Sequence, residues 1–219
     1  MGFDVGLIGV LGDDREGDFY LKQLPYANKS VIPRRGRSGM AYIVNTQKRD
    51  RSIIVIPNSI SDLTEKDIEG KHLSGPRWVH MSSYVKDEAI EAQIYVKRQL
   101  SGKARFSIDP GEIYAAMGDK IYPLIDGAEI LFTTEKELQM LFGDDMDRAI
   151  QRALETVRIV VIKKGRKGAS LCTKDINVSS QGEKVRVVDN TGAGDVLDGV
   201  FLGLYMQGED PARALGAAV

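Results

Sequence analysis

The residues best suited to catalysis or ligand binding lie in one segment near the end of the chain, Val187 to Gln207. A β-branched run ending at Val188 predicts a strand, and apolar residues then recur at helical spacing. A helix is therefore expected to begin in the turn formed by Gly192, Ala193 and Gly194. The first amides of a helix have no intrahelical acceptor, and glycines let an anion approach the backbone closely. The segment predicts a cradle for a phosphate or another oxyanion.

An aspartate in the same turn adds possible catalytic chemistry. Asp195 falls in the first helical turn, so its carboxylate is expected beside the cradle, within reach of a hydroxyl aligned on a phosphoryl group. Spacing alone supports a second interpretation equally, because an early aspartate also stabilises a helix dipole. Two common phosphate motifs are absent, since the sequence has no G-x-x-x-x-G-K-[ST] and no third glycine three positions after Gly194.

The elements that must position this turn follow an alternating pattern. Short β-branched runs bounded by Gly, Pro or Asp alternate with segments of helical period, which predicts an α/β fold with a mainly parallel sheet. The candidate strands are Val5–Val10, Trp78–Met81, Arg105–Ile108, Glu129–Phe132 and Ile159–Lys163. The candidate helices are Gly17–Leu24, Asp87–Leu100, Glu135–Phe142 and Asp147–Val157.

Two stretches depart from the alternation. Residues Ser38 to Pro57 read as two strands joined by the polar turn Gln47–Asp50, which predicts a β-hairpin that could act as a flap over a site. Residues Gly168 to Val188 contain the short runs GASLCT, INVSS and KVRVV, which predict an antiparallel edge. No repeat or linker is present in the sequence, so residues 1–219 are expected to form one domain with the flap at about 38–57.

Composition limits the classes of partner. The 219 residues are 42% hydrophobic and 28% charged, which is typical of a globular domain, and the formal charge is −1. The two signs are interspersed, so neither nucleic acid nor an anionic membrane is an expected partner. A single cysteine, Cys172, and the lack of a secretion signal or long apolar run predict a cytoplasmic protein that acts on a small molecule.

The run Asp189-Asn190-Thr191-Gly192-Ala193-Gly194-Asp195, followed by Gly199 and an apolar helix, resembles the C-terminal signature of the ribokinase-like, PfkB-type carbohydrate kinase family. Other segments fall in the family's order, namely GFDVGLIGVLGDDREGDFYLKQL, the hairpin, WVHMSSYV, FSIDPGEIY, EILFTTEKELQML and VVIKKGRKGAS. The resemblance implies a three-layer α/β/α fold with a β-hairpin lid. It also implies transfer of the γ-phosphoryl group of ATP to a hydroxyl of a sugar or nucleoside.

The resemblance implies a role for each matching residue. Asp195 would be the catalytic base, and the backbone of Gly192, Ala193 and Gly194 would form the anion hole. The residues expected at the nucleotide are Asp189, Asn190, Thr191, Lys163, Gly165 and Gly168. In many members the segment 189–191 also lines a monovalent cation, so K⁺ is a possible cofactor beside ATP and Mg²⁺.

A magnesium role is implied for Glu137, which occupies the Glu position of the family's Asn-x-x-Glu motif. There it would organise Mg²⁺ through water, which suits a metal that dehydrates reluctantly. The family asparagine is Thr134 in this chain, so the motif keeps a hydrogen-bonding oxygen but loses the amide.

The expected substrate-side residues are Asp13, Arg37 and Asp109. Asp13 follows a predicted strand where the family places a substrate-side turn. Arg37, with the nearby Arg34 and Arg35, could grip a phosphate or carboxylate, or could belong to a solvated loop. Asp109 opens a segment that departs from the family's Asp-x-Asn-x-Arg, which puts a sugar contact there in question.

The family comparison also leaves other functions open. The chain is expected to begin after the family's first strand, its Gly-Gly sugar-binding turn and the following Asn, and to stop before the last helices. A catalytically impaired nucleotide-binding or regulatory module is therefore an alternative, as is a kinase for a vitamin-like hydroxymethyl compound. Lid strands in this family often pair between subunits, so a homodimer is a possible assembly.

Overall fold

The computed structural model of the protein describes residues 2–24, 32–45, 51–187 and 189–219. In these residues the chain forms two compact units. The hairpin unit comprises Gly2–Pro76 and Tyr84–Leu100, and the sheet unit comprises Arg77–Ser83 and Ser101–Val219. The organisation of the chain as one domain with a flap stays a prediction.

The hairpin unit begins with helix α1, Arg15–Lys22, whose first turn is capped by the Asp14 carboxylate. Strands β1, Met40–Asn45, and β2, Arg51–Ile56, then form an antiparallel pair in which Met40 lies opposite Ile56. This confirms the predicted hairpin, although its turn at 47–50 lies outside the described residues. Three 3₁₀ turns and helix α2 complete the unit, at Asn58–Ser61, Glu65–Asp67, Gly70–Leu73 and Asp87–Gln99.

The sheet unit contains a six-stranded mixed sheet in the order β3-β4-β5-β6-β7-β8. The strands are β3 Trp78–Ser82, β4 Arg105–Asp109, β5 Ile130–Thr134, β6 Ile159–Lys163, β7 Ala169–Cys172 and β8 Asn177–Ser180. Strands β3 to β6 are parallel, and β7 and β8 join antiparallel to them. The predicted mainly parallel sheet with an antiparallel edge is confirmed.

Helices cover both faces of this sheet. They are α3 Gly111–Ala115, α4 Tyr122–Ile125, α5 Glu135–Phe142, α6 Met146–Thr156, α7 Ala193–Met206 and α8 Pro211–Ala218. On one face, Phe132 and Val161 form a buried cluster with Phe201 of α7 and Leu215 of α8. The alternate strand residues, such as Leu131, are equally buried on the other face, and α5 and α6 contact β5 and β6. This is the α/β fold expected from the alternation, with the three layers that the family resemblance implies.

Two predicted strands are wrong. Residues Val5–Val10 do not form a continuous strand. An isolated β-bridge just after them joins Leu11 to Arg34. Its partner segment contains Pro33, which has no N–H with which to extend a ladder. The run KVRVV is not a strand over 184–187, and Val188 lies outside the described residues. Val185 is 68% exposed, so its alternation with charged residues did not reflect a buried face.

Capping residues explain where several helices begin. Thr134 and Glu137 form a reciprocal capping box at α5, while Asp145 caps α6 and Asp210 caps α8. The short helices α3 and α4 and the terminal α8 were not predicted, because each is too short to show a clear helical repeat of apolar residues. No helix in the described part of the chain is both long and apolar enough to cross a membrane.

We expect Phe201→Ala to lower the free energy of unfolding by about 3–5 kcal/mol, because truncating a buried aromatic ring leaves a cavity. Phe201 is fully buried, with its ring 5.7 Å from that of Phe132 and 6.0 Å from that of Tyr205. Urea unfolding measures the change. Val196→Ala, on the same helix but 63% exposed, should differ from the wild type by less than about 0.5 kcal/mol. Equal losses in both variants would contradict this packing.

Candidate active site

The start of α7 is a tight turn that depends on one glycine. Gly192 is the N-cap residue and has φ 79°, a left-handed conformation that side chains disfavour. The first intrahelical bond runs from the Val196 amide to the Gly192 carbonyl over 2.9 Å. The amides of Gly194 and Asp195 thus precede the helical ladder and point out of its positive end.

One of the three amides predicted for the anion hole is already engaged in the turn. The amide of Ala193 donates to the Asn190 carbonyl at 3.2 Å, so it already has an acceptor within the turn. Asp189 closes the same turn, because its Oδ1 accepts from the Thr191 amide at 2.8 Å and from the Thr191 hydroxyl at 2.7 Å. The carboxylate of Asp195 is exposed at the helix start. The nucleotide and catalytic roles of these residues stay predictions.

A buried charge cluster lies beside this turn. Lys163, the last residue of β6, places its Nζ 2.6 Å from Asp109 Oδ2 and 3.2 Å from Asp198 Oδ2. Asp109 ends β4, and Asp198 lies one turn into α7. The side chains of Lys163, Asp109 and Asp198 are only 13%, 18% and 4% exposed, so water screens this cluster little. We call these three residues the charged trio.

The environment of the charged trio favours a protonated carboxyl group. Burial, and then the nearby charge of Asp109, raise the pKa of Asp198 to about 8, although Lys163 opposes this shift. Asp198 Oδ1 has no hydrogen-bond partner among the residues described, which adds to the cost of ionisation. Burial disfavours the charge of Lys163, but the carboxylates of Asp198 and Asp109 outweigh it and raise the pKa of Lys163.

The charged trio and the glycine turn occupy one place in the sheet unit. A Cβ built on Gly194 would lie 3.5 Å from Lys163 Nζ, so the ammonium group sits against the backbone of the cradle. The family resemblance implied separate subsites for Lys163 and Asp109, and no role was predicted for Asp198. The missed signal was an aspartate inside an apolar helix, three residues after Asp195.

Glu137 has a structural contact where the resemblance implied a magnesium role. Its Oε2 accepts from the Thr134 amide at 2.8 Å, and Thr134 Oγ1 accepts from the Glu137 amide at 3.3 Å. No group of three potential metal-ligating side chains occurs among the described residues. The residues nevertheless fit a magnesium ion held mainly by water and phosphate oxygens, because that mode needs only one or two carboxylates. The second oxygen of Glu137 could accept from a metal-bound water.

The loop after β6 contains the two glycines predicted at the nucleotide. Gly165 and Gly168 both have positive φ, 57° and 87°. A Cβ on Gly168 would lie 2.0 Å from the Ser180 carbonyl oxygen, so the close approach of the segment after β8 requires a glycine there. The structure therefore gives Gly168 a packing role, and its nucleotide role stays a prediction.

In the hairpin unit, the neighbouring aspartates Asp13 and Asp14 differ: the side chain of Asp13 is exposed, and that of Asp14 accepts hydrogen bonds. The Asp13 side chain is 80% exposed. Asp14 accepts from the Ser38 hydroxyl and the Ser38 amide, both at 2.6 Å, and from the Gly17 amide at 2.9 Å. These hydrogen bonds, the Ser38 hydroxyl first, lower the pKa of Asp14. Asp14 is thus a structural residue, and Asp13 stays the predicted substrate-side residue.

The three arginines before the hairpin also differ. Arg34 donates to the Gly12 carbonyl at 2.6 Å and pairs with Asp18 at 2.9 Å. Arg35 pairs with Asp67 at 2.6 Å. The side chain of Arg37 is exposed. Two of the three guanidinium groups therefore hold the unit together, which leaves Arg37 as the candidate for a substrate contact.

Two open cavities lie away from the glycine turn and the charged trio. One, of about 400 Å³ in the sheet unit, is lined by Arg77, Trp78, Gly102, Lys103, Ala104, Arg105 and Met206. The other, of about 350 Å³ in the hairpin unit, is lined by Arg35, Ser61, Asp62, Thr64, Lys86 and Glu88. Neither lining includes a residue from the glycine turn or the charged trio.

Comparison with solved structures supports the fold. A protein from E. coli provisionally named Ribokinase II, in complex with ATP and Mg²⁺, superposes with a TM-score of 0.86. The match is 24% identical and covers 99% of this chain and 75% of that protein. At this identity the likeness shows the shared fold.

Comparison with known sequences shows the family. A sugar kinase of Archaeoglobus fulgidus without an assigned substrate is 29% identical over 215 residues, covering 96% of this chain and 86% of that protein. The ATP-dependent ribose-1-phosphate kinase of Halopiger xanaduensis is 27% identical over 217 residues, covering 97% and 71%. The profile of the pfkB family carbohydrate kinases matches residues 1–219. The chain therefore belongs to the pfkB family of carbohydrate kinases and is a phosphotransferase with an alcohol group as acceptor.

Proposed function

We propose that this chain transfers the γ-phosphoryl group of ATP to a hydroxyl of a sugar or nucleoside. The observation that carries the proposal is the start of α7, where helical amides, an exposed Asp195 and the buried Lys163 ammonium surround one turn. This arrangement combines an anion cradle with a base, the two features that phosphoryl transfer requires. The ATP and Mg²⁺ held by the E. coli neighbour, and the name of the Halopiger relative, support ATP as donor.

In the proposed reaction, Asp195 accepts the proton of the acceptor hydroxyl as the new O–P bond forms. The bond between the γ-phosphorus and the bridging oxygen breaks, and ADP leaves with that electron pair. The amides of Gly194 and Asp195 stabilise charge on the transferring group. Because the transition state of phosphoryl transfer is loose, positioning and charge neutralisation should contribute more than the base.

Magnesium would neutralise phosphate charge when it arrives with the nucleotide. Glu137, in the first turn of α5, would orient it through water. Potassium at the segment 189–191 stays a prediction.

The remaining expectations concern the acceptor and its setting. Asp13 and Arg37 stay the predicted substrate-side residues, and a cytoplasmic location stays a prediction. A homodimer through the hairpin is supported by its exposed apolar side chains, which include Tyr42 at 52% and Ile54 at 57%. Release of ADP from Mg·ATP, measured with pooled sugars, nucleosides and hydroxymethyl compounds, distinguishes the proposal from its two alternatives. These are an impaired regulatory module and a kinase for a hydroxymethyl compound.

We expect Asp195→Asn to lower kcat by about 10²-fold or more, since an amide cannot accept the proton that general base catalysis removes. The KM for ATP should change little, because the backbone amides and Lys163 remain. Coupled detection of ADP measures both constants. Asp175→Asn, which neutralises an exposed aspartate between β7 and β8, is the matched control and should behave as the wild type. Near-normal turnover of Asp195→Asn would show that Asp195 is not the base.

We expect Glu137→Gln to raise the Mg²⁺ concentration needed for half-maximal activity by about tenfold, because a neutral amide orients metal-bound water less well than a carboxylate. Glutamine can keep the contact with the Thr134 amide, so the midpoint of thermal unfolding should change little. A magnesium titration of initial rates tests this. An unchanged requirement for magnesium would restrict Glu137 to capping α5.

A further inference from the structure

Asp198 is a buried acidic residue that the proposed reaction does not use. It lies three residues after Asp195 on α7, its side chain is 4% exposed, and its Oδ2 contacts Lys163 Nζ at 3.2 Å. Its Oδ1 has no hydrogen-bond partner in the part of the chain that the structure describes. Buried carboxyl groups with an unsatisfied oxygen cost stability, and an apolar residue of similar size would cost less. The position of Asp198 therefore requires a compensating role.

The compensating role lies in the placement of Lys163. A lysine side chain has a flexible four-carbon stem and a strongly hydrated ammonium group, so it tends to extend toward water. Here Asp109 on β4 and Asp198 on α7 contact the same Nζ from two different elements. These contacts hold the ammonium beside Gly194, where a Cβ would lie only 3.5 Å from it.

We propose that Asp198 is a positioning residue for the phosphate donor: together with Asp109 it fixes the Lys163 ammonium beside the glycine turn, so that this positive group faces the donor phosphates. This inference rests on the proposed kinase function. The ammonium adds to the partial positive charge of the amides at the helix start, and both attract the donor phosphates. Asp198 acts through Lys163 and does not itself touch the donor.

The protonation of Asp198 sets the total charge of this arrangement. When Asp109 is ionised, Lys163 is protonated and Asp198 carries its proton, the charged trio is neutral. When Asp198 ionises, the trio carries one negative charge and repels phosphate. Among the described residues, His80 on β3 interacts electrostatically with Asp109 and Lys163 of the trio, and also with Asp195 on α7. Since burial raises the pKa of Asp198 to about 8, the change falls in an accessible range of pH.

The experiment measures the KM for Mg·ATP between pH 6.5 and 9 in the wild type, in Asp198→Asn and in the control Asp175→Asn. The wild type and the control should show a rise of about tenfold through pH 8, the size expected for one charge acting in a partly screened site. In Asp198→Asn, whose neutral amide resembles the protonated carboxyl group, the KM for Mg·ATP should not rise with pH. A parallel rise in Asp198→Asn would overturn the inference.

Replacement of the lysine tests the other half of the inference. Lys163→Met should raise the KM for Mg·ATP by about tenfold at pH 6.5 and change kcat by less than about threefold, because the base and the amides remain. The pair Lys163→Met/Asp109→Asn removes the ammonium and its ionised partner together, so it keeps the test if the single variant fails to fold. An unchanged KM in whichever lysine variant folds would mean that Lys163 does not serve the donor.

Equilibrium binding of Mg·ATP separates this inference from the proposed function. The dissociation constant should follow the same pH series as the KM, and it does not depend on turnover. Absence of turnover in the wild type with every acceptor pool would reject the proposed function. A dissociation constant that rises equally with pH in the wild type and in Asp198→Asn would reject the role of Asp198, whatever the turnover.

Stability gives an independent readout of the same ionisation. The folded-state pKa of Asp198 lies above its ordinary value, so the folded protein binds more protons and the wild type loses stability as pH rises toward about 8. Asp198→Asn lacks this loss. The midpoint of urea unfolding of Asp198→Asn should therefore rise relative to the wild type between pH 6.5 and 9, and a constant difference would contradict the shifted ionisation.

Discussion

The parallel pairing of β3 to β6 is the constraint on which the candidate site depends. Parallel strands end at one edge of a sheet, and here this edge receives Asp109 from β4, Thr134 from β5 and Lys163 from β6. Strands β5 and β6 are buried on both faces, so apolar residues fill them and polar side chains that could do chemistry are confined to their ends. The glycine turn before α7 reaches the same edge, as the proximity of Gly194 to Lys163 shows.

Much of the sheet unit could be predicted from the sequence because its signals are local. Strand β6 and helix α5 were placed at their observed bounds, and the helix after the glycine turn was expected where α7 begins. Strand pairing is not local, and this explains the error at Val5–Val10, where an apolar run has no continuous strand partner among the described residues. The charged trio was missed for the same reason, since its contacts join residues 54 and 35 positions apart.

Several predicted ligand-binding residues also support the backbone. Glu137 caps α5, Gly168 makes room for the Ser180 carbonyl, and Asp189 closes the turn before α7. A sequence motif cannot separate these contributions, because a residue type suited to a phosphate or a metal is often suited to a helix end as well. The structure separates them by showing which atoms already have partners. Loss of activity in a variant at such a position therefore needs a stability measurement beside it.

The charged trio also limits how this sequence can change over evolution. Loss of Lys163 alone would leave Asp109 and Asp198 facing each other in a buried place, and loss of Asp198 alone would weaken the hold on a buried ammonium. Simultaneous replacement by neutral residues avoids both penalties. Lys163 and Asp198 should therefore vary together among descendants of this chain, and a lineage that loses one of them should soon replace the other.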